Sequence, residues 1–73
     1  MANNATNRIK VVLVEQGRSS KWLSEKLKKN ESTVSRWCTN SSQPPLDTLS
    51  NIARLLNVDI RELLSSTKDK TEL

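Results

Sequence analysis

The chain has 73 residues and a formal net charge of +4, so it can form one small domain and favours an anionic partner. Histidine is absent, Cys38 is the single cysteine, and no glycine-rich phosphate loop occurs. This composition argues against an internal disulfide, a metal site, a cofactor and an enzymatic activity.

One glycine, two prolines and no clear strand run predict an all-α fold. Residues 1–5 are expected to form a flexible N-terminus, because they are short and polar. The folded domain is predicted to span residues 6–64. Residues 65–73 are polar and end in mixed charges, which predicts a flexible C-terminal tail.

The first helix is predicted to begin at a cap formed by Thr6 or Asn7 and to run to about Gln16, where Gly17 ends it. The valine-rich run at residues 11–14 also has strand propensity, but a lone strand would have no partner in this sequence. Helical spacing therefore predicts one buried stripe, made of Ile9, Val12 and Leu13.

Two further short helices follow, separated by a tight turn. Ser19 is a suitable N-cap for the second helix, where Leu23 and Leu27 lie one turn apart on the same face. Asn30 can cap a third helix, Glu31–Cys38, whose buried stripe is Val34 and Trp37. The pattern predicts a helix, a turn and a helix.

The fourth helix begins after Pro44 and Pro45, since proline fits a helix start. Asn57 is a plausible left-handed stop. Its apolar positions are Leu46, Leu49, Ile52, Ala53 and Leu56. Asp59, with Glu62 three residues later, predicts a capping-box-like start for a short last helix, and that helix has an apolar face made of Ile60, Leu63 and Leu64.

Residues 7–64 resemble the phage-repressor-like helix-turn-helix family, the XRE or Cro/repressor type. The resemblance is carried by Leu23 and Leu27, by the TVSRW segment at residues 33–37, and by QPPLDTLSNIARLLNVD at residues 43–59. It implies five short helices in a lambda-repressor-like domain. It also implies that the third helix enters the major groove of double-stranded DNA.

Several positions depart from the family pattern. Ser24 stands where alanine is usual, and Lys28 stands where glycine occupies the turn. A left-handed lysine costs about 1 kcal/mol, so a slightly altered turn is expected. Leu13 and Cys38 stand where the family often pairs arginine with glutamate, so we expect them to lie close together, with Trp22 covering the seam.

Within the resemblance, Arg36 is the leading candidate for base recognition, because a guanidinium can bond O6 and N7 of guanine. The alternatives for Arg36 are a solvated side chain or a pair with Glu31 or a phosphate. Glu31 and Ser32 fall where base-reading side chains are implied, but Glu31 would equally stabilise the helix dipole. Ser35 is a candidate for contact with bases or phosphates.

The remaining candidates surround that helix. The start of the second helix resembles the phosphate clamp of this family. The loop after the third helix resembles the family's loop that grips the other side of the groove. The alternative for this loop is a capped turn that makes no contact with DNA. Asn30 is first a cap. The complete set of candidate DNA-contacting residues is Ser20, Lys21, Asn30, Glu31, Ser32, Ser35, Arg36, Asn40, Ser41 and Ser42.

Two functions remain open from the sequence. The first is a sequence-specific regulator of transcription, expected to be a repressor, that pairs as a homodimer either in solution or only on DNA. The second is a protein-interaction module, such as an antitoxin or adaptor, that binds a protein partner through the last two helices. No apolar run approaches membrane-spanning length and no signal-peptide core occurs, so no membrane contact and a cytoplasmic location are expected.

Overall fold

The computed structural model describes residues 6–65, so the expectations for residues 1–5 and most of those for the tail lie outside the described part. The described chain forms four α-helices and one 3-10 helix. The all-α prediction is confirmed, although the predicted fifth helix is a 3-10 helix. The helices are α1 Ile9–Glu15, α2 Ser20–Leu27, α3 Glu31–Cys38, α4 Leu46–Leu56 and the 3-10 helix Ile60–Leu63.

A single cluster of apolar side chains forms the core. α2 packs on α3 and on α4, while the 3-10 helix packs on α4 and α1. Each fully buried aliphatic side chain stabilises the fold by about 1.5–3 kcal/mol. The cluster comprises Ile9, Val12, Leu13, Leu23, Val34, Trp37, Leu49, Ile52, Ala53, Leu56 and Leu63.

The predicted apolar stripes are correct except at two leucines. Leu46 is 74% exposed, because it is the first residue of α4 and the buried part of that helix begins with Thr48 and Leu49. Leu64 is 39% exposed. In a 3-10 helix residues three apart share one face, so Leu63 is directed into the core and Leu64 lies beyond it.

The capping predictions hold for α2 and α3. The Ser19 hydroxyl accepts a hydrogen bond from the Trp22 amide at 3.0 Å, and the Asn30 side chain accepts one from the Ser32 amide at 2.8 Å. At α1 the backbone cap is Arg8, not Thr6 or Asn7. Asn7 nevertheless accepts a hydrogen bond from the Ile9 amide at 3.0 Å.

The predicted capping box at the 3-10 helix is only half present. Asp59 accepts a hydrogen bond from the Arg61 amide at 2.8 Å, as a cap does. Its carboxylate also pairs with the Arg61 guanidinium at 3.1 Å, so Arg61 rather than Glu62 is its side-chain partner. The hydrogen bonds from the Arg61 side chain and amide lower the pKa of Asp59.

Each α-helix is followed within two residues by a residue with left-handed backbone geometry. These residues are Gly17, Lys28, Asn40 and Asn57, with φ between 57° and 68°. At each end a backbone amide beyond this residue closes the last turn, as in the Schellman motif. At α2 the Lys29 amide bonds the Ser24 carbonyl at 3.0 Å, so lysine at position 28 leaves the turn intact.

Lys28 is the one residue of these four that is neither glycine nor asparagine. We expect Lys28→Gly to raise the free energy of unfolding by about 1 kcal/mol, because glycine adopts φ of 57° without a clash between Cβ and the backbone. Urea denaturation monitored by tryptophan fluorescence measures this change.

Lys29→Gly is the matched control, because it removes the same charge at a neighbouring residue whose φ is not positive. This control is expected to leave stability unchanged or to lower it. A Lys28→Gly variant that is no more stable than the parent would show that the left-handed lysine carries no strain.

Candidate nucleic-acid interface

α3 has one buried face and one exposed face. Val34 is fully buried and Trp37 is 5% exposed, and both belong to the core cluster. The opposite face is in solvent and carries the side chains of Glu31, Ser32, Ser35 and Arg36. This small, mixed polar face is free to meet a ligand without any change in the fold.

The start of α3 is held by Asn30. Its side-chain oxygen accepts from both the amide and the hydroxyl of Ser32, at 2.8 and 2.7 Å. The Ser32 hydroxyl therefore donates towards the cap, which leaves its oxygen lone pairs as acceptors. Glu31 lies in the first turn, where a negative charge also stabilises the helix dipole.

A cleft of about 330 Å³ separates α3 from the junction between α1 and α2. Ser20, from the start of α2, and Ser35, from α3, both line it. The two helix segments that the sequence singled out therefore face the same side of the molecule. Lys10 and Arg18 also line this cleft, and none of the carboxylate residues between positions 6 and 65 lines it.

Lys10 and Arg18 are missing from the residues predicted from the sequence. The signal for Arg18 was its place directly before the N-cap Ser19. Lys10 had no comparable signal, because it comes from α1 and reaches the cleft only through the packing of α1 against α3.

The start of α2 is suited to binding an anion. Ser20 and Lys21 occupy its first turn, where helical amides have no partner within the helix and the helix dipole is positive. Lys21 is exposed and Ser20 is half-buried. The phosphate clamp expected at Ser20 and Lys21 stays a prediction.

Leu13 and Cys38, which were expected to lie close together, both line the same cleft. The apolar contact between α1 and α3 that the sequence suggested is compatible with this placement. The Trp22 ring packs against the core cluster, with the Arg18 guanidinium 4.5 Å from the ring centroid, a cation–π distance. The expectation that Trp22 covers the seam stays a prediction.

The loop after α3 folds back onto the helix end. The Arg36 carbonyl accepts hydrogen bonds from the amides of Ser41 and Ser42, at 2.8 and 3.3 Å. The hydroxyls of Thr39 and Ser41 lie 2.9 Å apart. Ser41 and Ser42 are exposed, so their hydroxyl groups are accessible beside the outer face of α3.

Asn40 differs from the other loop candidates. Its side-chain oxygen accepts hydrogen bonds from the amides of Thr6 and Asn7, at 2.9 and 2.8 Å. Its side-chain nitrogen donates to the Asn7 carbonyl at 3.2 Å. The Asn40 side-chain amide, which was expected to contact a ligand, is thus directed at the N-terminal segment. Thr6 and Asn7 precede Asn40 by 34 and 33 positions, so the spacing of residues within one helix could not reveal this contact.

Within residues 6–65 no group of acidic, cysteine or histidine side chains is placed to hold a metal ion. No helix in that part of the chain is long and apolar enough to cross a membrane.

Cys38 packs beside the core cluster and lines the cleft. Burial raises the pKa of its thiol, and nearby Lys10 opposes part of that shift. Because the thiolate is the reactive form, we expect the native thiol to react with iodoacetamide at mildly alkaline pH more slowly than the thiol of the urea-unfolded chain. Equal rates would contradict this expectation.

The same shift predicts a pH dependence of stability. The unfolded chain releases the Cys38 proton at lower pH than the folded protein, so the free energy of unfolding falls as the pH rises between the two pKa values. Cys38→Ser should remove this dependence, as measured by denaturation at a series of alkaline pH values.

Two comparisons place the chain among known proteins. Residues 9–63 match the family model described as Helix-turn-helix. The crystal structure of a protein from Bacteroides fragilis, provisionally classed as DNA-binding, is 57% identical and superposes with a TM-score of 0.81. The match covers 82% of this chain and 97% of that one. No curated protein gives a significant match. The chain therefore belongs to the helix-turn-helix family of the XRE, or Cro/repressor, type.

Proposed function

We propose that this protein is a sequence-specific regulator of transcription that binds double-stranded DNA and acts as a repressor in the cytoplasm. The observation that carries the proposal is the arrangement of α3. Its small polar face is exposed, and the start of α2 and the cationic cleft lie on the same side. An α-helix about 10–12 Å in diameter fits the major groove, which is about 12 Å wide.

In this proposal the exposed face of α3 reads bases. Arg36 would bond O6 and N7 of guanine, and Glu31 would accept from the amino group of cytosine. Ser32 retains acceptor capacity beside its bond to Asn30, and Ser35 lies at the edge of the cleft. These short side chains allow close approach of the helix to the floor of the groove.

Phosphate contacts would set the register of α3 on the duplex. Ser20 and Lys21 offer first-turn amides on one side of α3, and Ser41 and Ser42 offer hydroxyls on the other. Asn30 and Asn40 support these contacts by holding the ends of α3. Two cations in the cleft, Lys10 and Arg18, add positive charge where a phosphate would pass.

Repression and pairing belong to the proposal as well. A homodimer, formed in solution or only on DNA, would read two half-sites about 34 Å apart along the duplex. Occupation of such a site would block access of other proteins to the same DNA. The provisional DNA-binding class of the 57% identical Bacteroides fragilis protein supports DNA as the partner.

A second candidate function, binding of a protein partner, is favoured by a groove between α2 and α4. The groove has a volume of about 290 Å³ and combines apolar with cationic side chains, namely Leu27, Leu55, Lys26 and Arg54, together with Asn51. Leu55 is 39% exposed. An antitoxin or adaptor would use this surface, and apolar burial there would be insensitive to salt.

Selection from a random duplex library at two salt concentrations tests the proposed function. We expect an enriched sequence motif and an affinity that falls steeply as salt rises, because phosphate contacts release counterions. A symmetric motif would support the dimer. The absence of any enriched motif at low salt would overturn the proposal and leave protein binding as the better candidate.

Arg36→Ala is expected to weaken binding to the selected duplex by about 1–3 kcal/mol, because it removes the two hydrogen bonds to guanine. The side chain is exposed, so the fold should be unaffected. Fluorescence anisotropy with the selected duplex and with a scrambled duplex measures the change.

Arg54→Ala provides the control for charge. It also removes one exposed arginine, but from the last turn of α4, where the side chain lines the groove beside α2. This variant should retain the preference for the selected duplex. An Arg36→Ala variant that discriminates as well as the Arg54→Ala variant would exclude base reading by Arg36.

A further inference from the structure

A polar cluster inside the N-terminal end of the domain links α1 to the end of α3. Its centre is Asn7, which is only 4% exposed. The Asn7 side-chain nitrogen donates to the Trp37 carbonyl at 2.9 Å and to the Gln43 side-chain oxygen at 2.7 Å. Its side-chain oxygen accepts from the Ile9 amide. Both hydrogens of the Asn7 amide are thus used.

Asn40 completes the cluster from the other side. Besides the amides of Thr6 and Asn7, its side-chain oxygen accepts a hydrogen bond from the Gln43 side chain at 3.2 Å. Asn40 is also the left-handed residue that ends α3, with φ of 63°. One side chain therefore ties the end of α3, the start of α1 and the far end of the loop to one another.

The cluster is attached to the body of the protein. The Arg8 amide donates to the Leu63 carbonyl at 2.8 Å, and the Ser65 amide donates to the Thr6 carbonyl at 2.9 Å. The segment that carries Asn7 is therefore held against the 3-10 helix. This anchorage gives the loop after α3 a fixed point outside α3 itself.

The loop needs such a fixed point. Ser41 and Ser42 are exposed and lie outside the apolar core cluster of the described residues, so the hydrogen bonds around them help to define their positions. The Arg36 carbonyl supplies bonds on one side, and Asn40 and Gln43 supply them on the other.

We infer that Asn7, Asn40 and Gln43 form a polar latch that positions the loop after α3 for phosphate contact. This inference rests on the proposed DNA binding and deepens it. Asn7 is buried, so it acts only as a positioning residue. The latch also explains why the Asn40 amide, a candidate DNA contact from the sequence, faces inward.

The test compares one substitution at two helix ends. Asn40→Gly and Asn57→Gly both place glycine at a left-handed residue that ends a helix, with φ of 63° and 57°. Only the first removes latch hydrogen bonds among those described. Gln43→Ala is a third variant. It removes two latch hydrogen bonds but leaves residue 40 unchanged, and Gln43 itself is exposed.

Two measurements are made on each folded variant. Hydrogen exchange of the Ser41 and Ser42 amides in the absence of DNA reports the order of the loop, and anisotropy reports affinity for the selected duplex. We expect Asn40→Gly and Gln43→Ala to speed exchange and to weaken binding. For Asn40→Gly the affinity should fall by about tenfold, which equals the net contribution of one to two hydrogen bonds, because only part of the loop order lost with the four bonds is felt at the DNA. Asn57→Gly should match the parent in both.

The latch is rejected when Asn40→Gly and Gln43→Ala show parental exchange at Ser41 and Ser42. It is also rejected as a positioning device when exchange speeds up but affinity stays at the parental value. Failure of the proposed function looks different, because the parent itself would then select no duplex. Exchange in the DNA-free protein would still decide whether the latch orders the loop.

Discussion

Burial of the inner face of α3 is the constraint on which the rest of the molecule depends. Val34 and Trp37 enter the same apolar cluster as Leu23 and Ile52. Because residues three apart share a face of an α-helix, this burial leaves the intervening polar residues outward. The proposed reading surface is thus a consequence of core packing, and a change in the core would rotate or tilt it.

A second constraint keeps the helices short. Each α-helix is followed within two residues by a left-handed residue whose following amide closes the last turn. Such helix ends turn the chain sharply. The four α-helices of residues 6–65 can therefore pack around one core. At Lys28 the chain accepts the steric cost of a side chain in this geometry, and the turn between α2 and α3 is nevertheless formed.

Polar contacts then place the surroundings of α3. Asn30 holds its start, while Asn40 and Asn7 hold its end. The cleft between α3 and the start of α2 is lined by the cations Lys10 and Arg18. An apolar core alone could not produce this arrangement, because apolar burial is non-directional whereas hydrogen bonds fix distance and direction.

The sequence by itself determined the helices, most of the core and the outward face of α3, because apolar spacing and capping residues are local signals. It placed Leu46 wrongly on the apolar stripe and did not reveal the position of Trp22 or the inward direction of the Asn40 amide. Only the tertiary structure decided these, together with the place of Lys10 in the cleft. Each depends on contacts between segments that are distant along the chain, and no periodicity within one segment encodes such contacts.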